Sequence, residues 1–162
     1  EVQDGVRIAV LNILGDTELV QACAQKLAEK ISGLEYDTLV TAEAKSIPLI
    51  HALSVETGKM YVVLRKKYKL YMGDALTAET LSITTGETQT LFLDEKDQDI
   101  LRGKKVVLLD DVISTGSTLS GMRSLMEQVG SQVVGEACIL TEGNESDWEG
   151  IISLGHIPVF KD

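Results

Sequence analysis

Apolar residues recur along the chain in two rhythms. Between Asp16 and Gly33, the positions Val20, Cys23, Ala24, Leu27, Ala28 and Ile31 follow the i, i+3, i+4, i+7 spacing of one helix face. Asp16 is placed to cap that helix, with Glu18 in its first turn and Gly33 at its end. The run Thr38-Leu39-Val40-Thr41-Ala42 predicts a buried strand, and a helix follows from about Ser46, with Pro48 in its first turn and Gly58 past its end. Met60-Tyr61-Val62-Val63-Leu64 predicts a second strand. After a polar stretch, Thr80 to Thr84 and Thr88 to Leu93 flank Thr85-Gly86 and read as a hairpin, while the acidic residues from Asp94 to Asp99 are expected to form a solvated turn. Gly103-Lys104-Lys105 introduces the strongest strand, Val106 to Leu109. Beyond a loop, Leu119, Met122, Leu125, Met126 and Val129 make the stripe of a helix that stops at Gly130, and Gln132 to Leu140 resumes a strand. Ile151 to Leu154 and Pro158 to Phe160 predict a last strand and a tail. Strands alternating with helices predict an α/β domain around a mainly parallel sheet.

Composition narrows the field. A chain of 162 residues, 44% of them hydrophobic, suits one domain with one core across residues 1–162. A formal charge of −10 argues against nucleic acid as a partner, although Lys59, Arg65, Lys66, Lys67 and Lys69, five of the 15 basic residues, cluster closely enough to form a local anion site. Cys23 and Cys138 stand among apolar neighbours, as buried thiols of a reducing compartment do. No apolar run approaches the roughly 18 residues of a membrane span, and no charged-then-apolar leader pattern opens the sequence. A cytoplasmic location with no membrane partner is therefore expected. His51 and His156 lack Cys or His partners at metal spacing and read as packing or surface residues; no metal ligands are assigned.

The chemistry concentrates after the strongest strand. Ligands of open parallel sheets bind beyond the carboxyl ends of strands, and Asp110-Asp111 stands there, directly after four aliphatic residues. Two adjacent carboxylates at such a place call for hydroxyls, cations or a metal, and a ribose offers two vicinal hydroxyls. Val112-Ile113 leads into Ser114-Thr115-Gly116-Ser117-Thr118, which supplies hydroxyls, a permissive glycine and the free N–H groups of a helix start, a nest suited to a phosphate dianion. The sequence contains neither G-x-x-x-x-G-K-[ST] nor G-x-G-x-x-G, so triphosphate hydrolysis and dinucleotide binding lose their main support.

The stretch from Val106 to Thr118 resembles the phosphoribosyl pyrophosphate motif of the type I phosphoribosyltransferases, and the layout from about residue 12 to 140 is most similar to the adenine enzymes. The resemblance implies a three-layer fold with an open, mainly parallel sheet and a flexible hood hairpin. It implies that Val112, Ile113, Ser114, Thr115, Gly116, Ser117 and Thr118 bind the 5-phosphate and that Asp110 and Asp111 hold the ribose hydroxyls. The family's pyrophosphate loop corresponds to Glu43-Ala44-Lys45-Ser46, where Lys45 takes the place of an arginine, so that Ala44, Lys45 and Ser46 are expected to contact substrate. Arg65, Lys66 and Lys69 match the Arg-Lys-x-x-Lys spacing that embraces pyrophosphate, and Glu87, 23 residues before Asp110, matches the hood glutamate that handles the purine proton. Mg²⁺ bound with phosphoribosyl pyrophosphate, a purine acceptor with adenine favoured, and a homodimer complete the implied picture. Val10-Leu11-Asn12-Ile13 departs from the Phe-Arg-Asp-Ile segment whose ring stacks on the base, leaving Tyr61, Tyr68, Tyr71, Phe92, Trp148 and Phe160 as the aromatic alternatives. Transfer to xanthine, orotate or another base, and a non-catalytic sensor of phosphoribosyl pyrophosphate, are the competing readings; the absence of a helix-turn-helix pattern and of a basic face weighs against the sensor.

Overall fold

A computed structural model describes residues 6–81 and 88–161 of the chain. The aliphatic runs expected as strands pair in parallel. The strands β2 (Thr38–Ala42), β3 (Met60–Leu64), β6 (Lys105–Ile113), β7 (Gln132–Glu142) and β8 (Ile152–Ile157) form one sheet in the order β3-β2-β6-β7-β8. Side chains on a strand alternate between faces. In β6, Val106 and Leu108 therefore enter one core cluster while Val107 and Leu109 enter the other, all four fully buried. Helices α1 (Thr17–Ile31) and α2 (Ile47–Thr57) cover the second face, packing Leu27, Ile31, Leu49 and Leu53 against Leu39, Val107 and Leu109. Helix α4 (Ser117–Val129) covers the first through Leu119, Met122, Leu125 and Met126. Two helical layers thus enclose the sheet, the three-layer α/β arrangement expected. Cys23 and Cys138 are free, buried thiols in opposite clusters.

A two-stranded antiparallel ribbon, β4 (Leu76–Leu81) with β5 (Thr88–Leu93), stands apart from the main sheet. It is fastened at Phe92, which exchanges backbone hydrogen bonds of 2.9 and 2.7 Å with Arg65, and it lies on α4 where Gly121 leaves room for Thr80 and Leu91. The first strand of the ribbon starts at Leu76, earlier than the expected Thr80; residues 82–87, and with them the turn Thr85-Gly86 and Glu87, lie outside the described residues.

Two sequence expectations change. The acidic segment is a helix, α3 (Glu95–Leu101), rather than a solvated turn. Asp94 is 5% exposed and caps it by accepting from Lys96 N–H at 3.0 Å, and Glu95 and Asp97 stand in the first turn, where the helix dipole favours negative charge. The tail is a short strand, β9 (Phe160–Lys161), pairing antiparallel with β1 (Val6–Arg7), an element the sequence pattern does not suggest. Among the described residues no helix is long and apolar enough to cross a membrane.

Candidate active site

Strands β2, β3 and β6 run in register, Thr41 lying opposite both Val63 and Leu109. The segments leaving their carboxyl ends emerge side by side, the position at which open α/β sheets hold ligands. The buried Thr41 hydroxyl donates to the Leu109 carbonyl at 2.6 Å and secures β2 to β6 just before the site.

The acidic pair is part of β6 itself. The strand continues to Ile113, beyond the expected end at Leu109, with Asp110 opposite Cys138 and Val112 opposite Leu140 of β7. Asp110 and Asp111 are thereby held on rigid backbone. Ile113, 2% exposed, belongs to the core and offers the site its backbone rather than its side chain.

Ser46 occupies the position that would cap α2, yet it makes no side-chain cap. Its hydroxyl, in a residue 2% exposed, donates to Asp110 Oδ1 at 2.9 Å and accepts from Asp111 N–H at 3.1 Å. Asp110 Oδ1 also accepts from Asp111 N–H at 2.9 Å. The start of α2 is thus tied to the acidic pair. Burial, followed by the adjoining Asp111 carboxylate, pushes Asp110 up to about 7, against the Ser46 and Asp111 N–H bonds that favour its ionised form.

A cavity of about 410 Å³ opens here, lined by Ala44, Lys45, Ser46, Lys66, Asp110, Asp111, Val112 and Thr118, with Ala42 and Glu43. It brings cations, carboxylates and hydroxyls together. The expected Arg65 and Lys69 do not line it. Arg65 Nε instead donates to Glu43 Oε2 at 2.9 Å, while Glu43 Oε1 accepts from Lys66 N–H at 2.6 Å and Tyr71 Oη accepts from Arg65 Nη1 at 3.4 Å. Lys69 donates its backbone N–H to Met72 Sδ at 3.3 Å. Glu43 therefore joins the loop after β2 to the segment after β3, a role that no spacing in the sequence reveals. The peptide bond between Glu43 and Ala44 is cis.

Ser114 to Thr118 enclose a second cavity of about 40 Å³ shared with Asp110, Val112 and Ile113. Gly116, at φ +76°, turns the chain into α4, and Thr115 Oγ1 lies 3.0 Å from Ser117 Oγ and accepts from Ser117 N–H at 3.3 Å. The first turn of a helix leaves backbone N–H groups without intrahelical partners, and they favour an anion.

The aromatic alternatives are mostly engaged elsewhere. Tyr61 meets His51 edge-on with ring centroids 5.9 Å apart, the Tyr68 and Phe92 rings lie 6.1 Å apart, and Phe160, half-exposed, pairs through its backbone with Arg7 of β1. Trp148 lies against Gly116. Val10 is 73% exposed. His156 is tied to Thr141 and to the Gly143 carbonyl, and among the described residues no three of His, Cys, Asp and Glu converge on one point. A separate cavity of about 320 Å³ lies between α1 and α2, lined by residues that include Ile13, Val20, Pro48, His51 and Val55. Asp16 and Glu56 also line it, but it has no lysine and no adjacent carboxylate pair.

Residues 10–149 match the family model of the phosphoribosyl transferase domain. The chain belongs to the phosphoribosyltransferase family. A hypoxanthine/guanine phosphoribosyltransferase of Methanococcus maripaludis is 34% identical over 143 residues, which cover 88% of this chain and 70% of that protein. Among solved structures, the adenine phosphoribosyltransferase of Thermoanaerobacter pseudethanolicus matches with a TM-score of 0.76 and 26% identity, covering 90% of this chain and 84% of that one. The adenine phosphoribosyltransferase of Giardia lamblia, complexed with 9-deazaadenine, has a TM-score of 0.77 at 20% identity and covers 90% and 83%, a likeness of fold. The parallel sheet with its flanking helices is the type I phosphoribosyltransferase fold, as the resemblance implies.

Proposed function

We propose that this chain transfers the 5-phosphoribosyl group of phosphoribosyl pyrophosphate to a purine base, releasing pyrophosphate. The observation that carries the reading is the continuity of one surface: the Ser114–Thr118 loop, the Asp110-Asp111 pair and the Lys45 and Lys66 cavity adjoin through Asp110, Val112 and Thr118, which supports a ligand laid out as phosphate, ribose and pyrophosphate along it. The loop and the first turn of α4 bind the 5-phosphate. The carboxylates accept from the ribose hydroxyls, and Lys45, Lys66 and the backbone of residues 44–46 draw charge from the departing pyrophosphate. Loss of that group leaves an oxocarbenium-like sugar, so the protein's work is positioning and electrostatic stabilisation.

Hard carboxylate oxygens beside a cavity for a polyphosphate are donors of the kind that Mg²⁺ takes together with substrate oxygens and water. When bound, the ion would screen pyrophosphate charge; Asp110 and Asp111 are the residues that would meet it or its waters. Glu87 is assigned the proton at the purine, by the resemblance alone. Arg65 is held by Glu43, which also accepts from Lys66 N–H, and does not line the cavity; a homodimer is part of the proposal through the same resemblance.

For the acceptor, the 34% identity to a protein named for hypoxanthine and guanine, together with the exposed Val10 where the adenine pattern has a stacking ring, supports a 6-oxopurine. Adenine is the second reading, supported by the Arg65-Lys66-x-x-Lys69 spacing and the shape of the adenine enzymes. The test is pyrophosphate release from Mg²⁺ and phosphoribosyl pyrophosphate with hypoxanthine, guanine, adenine, xanthine and orotate offered separately. Release with hypoxanthine or guanine is expected; release with adenine alone reverses the acceptor, and binding without release under any base moves the sensor ahead of the enzyme.

A further inference from the structure

Trp148 is the single tryptophan of the chain and is held on two sides. Its indole N–H donates to the Glu142 carbonyl at 2.8 Å, at the end of β7, and its ring packs against the core cluster that contains Leu119 and Met122. The benzo edge meets the phosphate loop: a Cβ on Gly116 would lie 3.2 Å from Trp148 Cη2 and 3.4 Å from Cζ3. The segment that carries the ring is fixed in turn. Gly143 N–H donates to the Ile157 carbonyl at 3.2 Å, and His156 lies with Nε2 3.2 Å from the Gly143 carbonyl and Nδ1 2.9 Å from Thr141 Oγ1. Contacts therefore run from β8 through the 143–150 loop to the centre of the phosphate loop.

Gly116 sits at φ +76°, a conformation that glycine adopts freely and from which it relaxes as freely. A large, stiff ring against one side of that residue removes the space into which the loop would relax. We propose that Trp148 is a positioning residue for the phosphate site: by backing Gly116 it holds the Ser114–Thr118 loop in the shape that presents backbone N–H groups to a phosphate monoester. The inference rests on the reading of that loop as the 5-phosphate site and adds to it the residue that sets its shape. Phenylalanine at position 148 keeps a ring beside the core but loses the bond to Glu142 and the Cη2 edge that meets Gly116; alanine loses the ring altogether.

The experiment is calorimetric titration of ribose 5-phosphate into the wild type, Trp148→Phe and Trp148→Ala, with steady-state kinetics on phosphoribosyl pyrophosphate and tryptophan emission of the wild type during titration. Trp148→Ala is expected to weaken ribose 5-phosphate binding and raise KM for phosphoribosyl pyrophosphate about tenfold, with kcat altered less than about threefold and Trp148→Phe between alanine and the wild type, because binding rather than chemistry is lost. Emission of the wild type is expected to change on saturation. Alanine binding as tightly as tryptophan, or phenylalanine binding more weakly than alanine, overturns the inference. Should Trp148→Ala fail to fold, emission that stays unchanged at saturation overturns it and a saturable change sustains it. A wild type that binds neither ribose 5-phosphate nor phosphoribosyl pyrophosphate refutes the phosphate-loop reading itself, a result distinct from normal binding that ignores position 148.

Discussion

Replacing Asp110 with asparagine removes a charge that the fold disfavours while keeping the acceptor oxygen that Ser46 and Asp111 N–H use. The ordinary value of 3.8 is raised in the fold to about 7, first by burial and then by Asp111. Between those values the folded chain holds a proton that the unfolded chain has released. The raised group thus contributes stability that is fully present below pH 3.8 and is lost as pH rises through about 7. The variant lacks this dependence, so its stability relative to the wild type grows across that window and then levels off. One pKa unit is worth about 1.4 kcal/mol, which sets a ceiling of ~4 kcal/mol. Asp110 keeps some contact with solvent and interacts with Asp111, so a gain of about 1–3 kcal/mol is expected. Urea unfolding of both proteins at about pH 5, 6, 7 and 8 measures it, with the slope m unchanged between them. A stability difference that is flat with pH, or that shrinks as pH rises, refutes the reasoning.

Ser46→Ala removes the hydroxyl bond to Asp110 Oδ1 but leaves Asp111 N–H its second acceptor, so a loss of about 1–2 kcal/mol in urea unfolding near neutral pH is expected, with weaker calorimetric binding of phosphoribosyl pyrophosphate. Gly121→Ala places a Cβ 2.5 Å from Thr80 Cγ2 and 3.0 Å from Leu91 Cδ1, forcing the ribbon from α4; a cost of about 1–3 kcal/mol by urea midpoint is expected, and an unchanged midpoint would show that the ribbon does not rest there. Burial, followed by the charge of Asp110, pushes the Cys138 thiol up to about 12, and burial likewise raises Cys23. A chromogenic disulfide is therefore expected to titrate both thiols in denaturant and neither in buffer.

How much of this was legible in the sequence follows from how far apart the interacting residues lie. Runs such as Leu39-Val40 and Val106 to Leu109 announce strands because both faces are buried, and the stripe from Leu119 to Val129 announces α4 because one face is. The extension of β6 through Asp110 and Asp111 is hidden because carboxylates end the apolar run while backbone pairing with β7 continues. Helix α3 is short and opens with acids, which a linear reading assigns to solvent and the Asp94 cap assigns to a helix start. Two-residue β1 and β9 pair across nearly the whole chain and leave no local signal. At the site, the contiguous segment from Asp110 to Thr118 carries its own pattern. The Ser46 bond to Asp110 and the Glu43 clamp on Arg65 join residues 64 and 22 positions apart, and only the parallel register of β2, β3 and β6 brings them together. Arg65 illustrates the consequence: its spacing suggests a pyrophosphate ligand, whereas its side chain is occupied by a carboxylate from the neighbouring loop.

The most direct test of the central claim is a crystal structure with ribose 5-phosphate bound. The phosphate is expected within hydrogen-bonding distance of the Ser114–Thr118 backbone N–H groups and the ribose hydroxyls at Asp110 and Asp111. A phosphate held elsewhere, such as in the cavity between α1 and α2, or a sugar turned away from the acidic pair, would contradict it.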